Sequence, residues 1–173
     1  MTIQVVTDSG ADVPEDLREE LGILTIPLIV SFGTESYRDG VDLSGEDFYK
    51  RLVAEEDMPT TSQPSVGDFS EVYKQLKASS KEILSIHISG KLSGTMNSAT
   101  QAAALEDLGD TIRILDSQQA SMGLGFSVIA AAEAAKNGAT LAEAAAAAES
   151  VLERTTTYIL FDTLKYLEKG GRI

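Results

Sequence analysis

The chain predicts an α/β fold, a mainly parallel sheet flanked by helices. Short β-branched runs alternate with helical segments along its length. Hydroxyl-rich turns, at 7–9, 60–65 and 89–95, follow three predicted strands, and open parallel sheets gather their ligands at strand ends. Hydrophobic residues make up 43% of the chain, enough for a two-sided core and too many for a disordered chain.

Residues 3–7, with Ile3, Val5 and Val6, read as the first strand. Pro14 suits the first turn of a helix that ends near Gly22, with Glu15 and Asp16 beside its positive end. A second strand spans 23–32, and Pro27 inside it points to an edge or a bulge. After the Gly33-Thr34 turn, 35–38 is a hairpin partner. Ser44 and Asp47 resemble a capping box for a helix to about residue 56. Residues 57–64 form a loop, and Ser65 with Asp68 repeats the capping pattern for a helix through 78.

Residues 82–88 form a strand, followed by the serine loop and a helix over 95–105. A further strand, 111–115, ends in Asp116-Ser117. Alanine-rich helices cover 119–136 and 140–154, the second started by Thr140 with Glu143 three residues on. These elements compose an N-terminal domain, 1–154. The character changes after Arg154: a new strand at 155–161 and a helix at 162–169 read as the beginning of a second, truncated α/β domain, 155–173.

Lys and Arg number 14 against 27 Asp and Glu, and the net charge of −13 repels nucleic acid and anionic membranes. An anion site in such a chain must be local and built from dipoles. The absence of cysteine excludes disulfides, thiolate metal sites and cysteine catalysis. The acidic positions are scattered and suggest no metal cluster, and no cofactor motif stands. The apolar run at 23–32 is interrupted and too short to span a bilayer, and the N-terminus lacks a signal peptide. A cytoplasmic protein without stable membrane insertion is expected.

Ser93 sits where hydroxyl, backbone amides and the start of a helix converge, an arrangement that suits an anion. Serine is also a favoured helix cap, but Gly90 and Gly94 permit an unusual backbone that aims N–H groups outward. Thr61 and Ser62 belong to a second hydroxyl cluster, and Thr7-Asp8-Ser9 to a third. Asp8 lacks the second acid that aspartate-nucleophile phosphatases carry two residues on, where Gly10 stands, so it reads as a structural acid. His87, the only histidine, lies inside an apolar strand and reads as structural. Without a base near it, a serine is a weak nucleophile. Gly90-Lys91-Leu92 fails as a P-loop, and Gly123-Leu124-Gly125 with Val128 fails as a dinucleotide fingerprint. Those glycines fit close approach to another helix or to a slender ligand.

Together, Val6-Thr7-Asp8-Ser9, Thr61-Ser62-Gln63-Pro64-Ser65, Leu92-Ser93-Gly94-Thr95 with Asn97-Ser98-Ala99, Asp116-Ser117 and the terminal stretch 166–173 resemble the DegV family of bacterial fatty-acid-binding proteins. The resemblance implies a two-domain α/β protein holding one long-chain fatty acid in a tunnel between domains. It implies that Thr61 and Ser93 bind the carboxylate, and that Arg172 matches an arginine near the head group and the kinase-facing surface. Ser62, Gly94, Thr95, Asp8 and Ser9 would support the head group, and Met122, Gly123, Leu124, Gly125 and Phe126 are candidates to line the tail. Some members present the acid to a separate ATP-dependent kinase subunit that phosphorylates the carboxyl group for phospholipid synthesis. The family's second domain, with a histidine near the carboxylate, has no counterpart after Ile173.

Each buried methylene contributes about 0.8 kcal/mol, so a tail of about fourteen gives on the order of 10 kcal/mol before costs. Each head-group hydrogen bond adds only about 1.5–3 kcal/mol. The tail should set affinity, and Ser93 with Thr61 orientation. The expected function is a lipid carrier and not an enzyme. A hydroxyl- or aspartate-dependent acyl or phosphoryl transferase, using Asp8 or Ser93, and a ligand-free interaction module are the alternatives.

Overall fold

The computed structural model describes residues 2–55, 58–79, 81–164, 167, 168, 170 and 171. In chain order its main elements are β1 (Ile3–Asp8), α1 (Glu15–Leu21), β2 (Leu24–Ile26), β3 (Ile29–Phe32), β4 (Glu35–Arg38), α2 (Gly45–Ala54), β5 (Thr60–Ser62) and α3 (Val66–Ala78). They continue with β6 (Glu82–His87), α4 (Thr95–Leu105), β7 (Ile112–Asp116), α5 (Met122–Lys136) and α6 (Leu141–Arg154).

The main sheet runs β2-β1-β6-β7, and every pair in it is parallel. Side chains alternate across it, as the two-residue period of a strand requires. Val5, Leu84 and Ile86 face a core built with Leu124, Val128, Ala131, Ala144, Ala145 and Ala148, beside which Leu17 and Leu21 of α1 pack. Val6 and Ile83 face the other way, against Phe69, Tyr73, Leu76, Ala99 and Ala102 of α3 and α4. α5 is apolar on nearly all sides because sheet, α1 and α6 cover it, and α6 meets it through alanines that allow close approach.

The caps sit where the sequence puts them. Ser65 with Asp68 and Thr140 with Glu143 each form a two-way capping box. Ser44 is one-sided: its Oγ accepts from the Asp47 amide, while the Asp47 carboxylate returns only to that hydroxyl. α1 is closed by Gly22, whose φ of 64° lets its amide reach the Arg18 and Glu19 carbonyls.

Three expectations are corrected. The single strand at 23–32 is two strands in two sheets. Proline cannot donate to a ladder, so pairing with β1 stops at Ile26 and the chain crosses at Pro27-Leu28 into a small antiparallel sheet, β4-β3-β5. The loop expected at 57–64 contains β5, in which Thr61 pairs with Val30 and Ser62 with Ile29. The strand expected at 155–161 is absent: a strand needs a neighbour to bond, and Tyr158 and Leu160 are 90% and 96% exposed. Of the helix expected at 162–169, Leu167 and Glu168 are helical, and residues 165, 166 and 169 lie outside the described residues.

Candidate functional site

β5 and the loop after β6 come from distant parts of the chain, yet they border one cavity of about 410 Å³. Its walls are Leu28, Thr61, Ser62, Gln63, Ile88, Leu92, Ser93, Gly94 and Leu167. The volume lies within the roughly 300–1,000 Å³ usual for small-molecule pockets. Hydroxyls and amides meet leucine and isoleucine side chains there, and no described lining residue carries a formal charge. A second cleft, of about 480 Å³, opens at the other end of β1 over Thr2, Gly22 and Gly138, away from the hydroxyl turns.

The wall at 92–94 leads directly into α4, whose positive end lies beside the cavity, whereas the start of α3 beyond Gln63 is already capped by Ser65 and Asp68. α4 begins after Gly94, which offers no side-chain cap. Ser93, one residue earlier, accepts from the Thr95 amide at 3.3 Å and shares a 2.8 Å hydrogen bond with the buried Thr95 hydroxyl. This arrangement suits an anion held by hydroxyls, amides and a helix dipole without a cation.

Asp8 and Ser9 do not line the cavity; they hold its apolar walls from behind. Asp8 is fully buried, and its Oδ2 accepts from the Ile88 amide at 3.0 Å. Ser9 Oγ accepts from the Leu28 amide at 3.0 Å, fixing the crossover between the two sheets. Ile88 and Leu28 are both wall residues.

Asp8 also bonds His87 Nδ1 at 2.9 Å, His87 Nε2 meets Ser85 Oγ at 2.7 Å, and Ser85 meets Tyr73 OH at 2.7 Å. Tyr73, Ser85, His87 and Asp8 thus form one continuous hydrogen-bonded row. The order imitates a nucleophile, base and acid. All four residues are fully buried, however, and Phe69 packs edge-on against the imidazole at 5.1 Å. No substrate reaches Ser85, so the row is structural. Burial pushes the Tyr73 hydroxyl above its ordinary pKa, partly offset by its bond to Ser85.

The five residues expected along a tail do not border this cavity. Gly123, Leu124 and Gly125 are buried, Leu124 within the core, whereas Phe126 is 54% exposed and Met122 half-buried. Protein atoms explain both glycines. A Cβ at Gly125 would stand 2.5 Å from the Ala11 carbonyl oxygen, and one at Gly123 would collide with Thr157 Oγ1. Arg172 lies outside the described residues. The sequence reading missed Leu28, Gln63, Ile88, Leu92 and Leu167 as wall residues; Gln63 was within its reach, standing inside the hydroxyl motif. No group of three metal-binding side chains occurs among the described residues, and none of their helices is long and apolar enough to cross a membrane.

The fold is an α/β domain whose parallel sheet is covered on both faces, with an uncharged cavity beside its strand ends. A protein-family model described as uncharacterised protein, DegV family, matches residues 2–173, and the chain belongs to that family. It is 37% identical to Protein DegV of Bacillus subtilis over 174 residues and 39% identical to a DegV domain-containing protein of Caldanaerobacter subterraneus over 171. The chain spans 62% and 60% of those relatives' lengths. Among solved structures it is similar to B. subtilis DegV, described as a fatty acid binding protein (TM-score 0.90, 36% identity, covering 99% of this chain and 61% of that one). It is also similar to a DegV family protein of Thermus thermophilus described by its fatty acid binding (TM-score 0.85, 38% identity, 99% and 61%).

Proposed function

We propose that the protein binds a long-chain fatty acid, with the carboxylate at Thr61 and Ser93 and the tail leaving along Leu28, Ile88 and Leu92. One observation carries this reading: a threonine from the small sheet and a serine from the loop after β6 border the same uncharged cavity. The fatty-acid-binding descriptions of similar proteins support the ligand class. A cavity of this size takes the head and the first part of the tail, and the remaining methylenes supply most of the affinity beyond it. The protein is a carrier that presents the acid's carboxyl group to a separate ATP-dependent fatty acid kinase. No described side chain at the cavity offers the base that a hydroxyl nucleophile needs.

Native mass spectrometry of the protein isolated at its native length tests the reading. A mass excess equal to one long-chain fatty acid, lost on organic extraction and regained on incubation with palmitate, is the expected result. Protein that neither carries nor takes up lipid rejects it.

A further inference from the structure

We infer that Gln63 is a further head-group residue, its side-chain amide donating to the carboxylate oxygen that Thr61 and Ser93 leave unmet. The inference rests on the fatty-acid reading above and concerns the same cavity.

Gln63 is pinned from both sides. Before it, β5 pairs with β3 through Thr61 and Ser62. After it come the buried Pro64 and the two-way cap of α3 at Ser65. Its side chain lies flat across Gly94: a Cβ built there would stand 3.1 Å from Nε2, 3.2 Å from Cδ and 3.5 Å from Oε1. Three amide atoms at nearly one distance mean that the amide plane covers the glycine, so a Cβ there would push the exposed amide aside by a few tenths of an ångström. Gln63 borders the cavity and makes no hydrogen bond to another described residue, so both amide protons are available to a ligand.

The chemistry calls for such a donor. An ionised carboxylate offers about four acceptor sites. Thr61 and Ser93 bring one hydroxyl proton each, and the Ser93 hydroxyl is already shared with Thr95. A neutral amide adds donors without placing a charge in the wall.

The test compares palmitate with hexadecanol, which shares the tail and lacks the anion, on delipidated protein at its native length. Gln63→Glu keeps the shape and turns a donor toward the ligand into a carboxylate. Palmitate binding should weaken roughly tenfold or more, while hexadecanol binding stays within about twofold of wild type, so that their affinity ratio changes. Gln63→Met, of similar length and without donors, should move the ratio the same way by less, and covers the case in which the glutamate variant folds poorly. Gly94→Ala, which lifts the amide off its seat, should shift it too. A wild type that prefers palmitate beside variants that keep that preference unchanged overturns the role of Gln63 alone. A wild type that binds neither ligand overturns the fatty-acid reading itself, and this inference with it.

Discussion

Replacing Asp8 by alanine removes a fully buried carboxylate that accepts from His87 Nδ1 at 2.9 Å and from the Ile88 and Gly10 amides at 3.0 Å each. The His87 and Ile88 donors would then lack an acceptor, at about 1–3 kcal/mol each. The two unmet donors together cost about 2–6 kcal/mol. Against a domain stability of roughly 5–15 kcal/mol this is a large share, and it corresponds to a drop in Tm of roughly 10 °C for a chain of this size. Urea unfolding followed by circular dichroism measures it, with the exposed Glu71→Ala as a control expected to stay within about 0.5 kcal/mol. Hydrogen exchange adds a local readout, because the Ile88 amide should lose protection in Asp8→Ala even well below the unfolding midpoint. A loss under about 1 kcal/mol with Ile88 still protected would refute the claim that Asp8 holds the cavity wall.

Ser93→Ala should weaken fatty-acid retention by roughly ten- to a hundredfold, the value of one bond to a charged head group, with the tail untouched. It should cut carboxyl phosphorylation by the proposed fatty acid kinase much further, and equal phosphorylation at matched lipid loading would count against an orienting role. Gly125→Ala forces a methyl group to within 2.5 Å of the Ala11 carbonyl oxygen, so it should destabilise by about 1–3 kcal/mol in thermal or urea unfolding. A neutral result would mean that α5 is free to shift. The Asp42 carboxyl is held down at a pKa of about 2, first by the hydrogen bond from the Arg38 side chain and then by that from the Arg38 amide. Its contribution is therefore present above the ordinary carboxylate pKa and is lost as pH falls through the folded value. The Tm difference between wild type and Asp42→Asn should be small near about pH 6, shrink between about pH 4 and 2, and vanish below; a difference persisting in stronger acid would contradict the pairing.

What the residues dictate by themselves is the local geometry and the character of the sheet. Helix starts follow from Ser65 with Asp68 and from Thr140 with Glu143, because a cap is a contact between neighbours in sequence. The parallel sheet follows from β-branched runs separated by helices. Even the structural reading of His87 follows from its apolar flanks. Tertiary structure decided the rest. Thr60–Ser62 carries no strand pattern of its own and becomes β5 only because β3 offers an edge to pair with. The glycines of α5 look ready for a ligand in the sequence, but neighbouring protein occupies their space. Thr61 and Ser93 lie on separate segments, and no local rule makes them neighbours. They meet because Pro27 ejects the chain from the main sheet and Ser9 fixes where it lands, a consequence of long-range packing that no window of sequence contains.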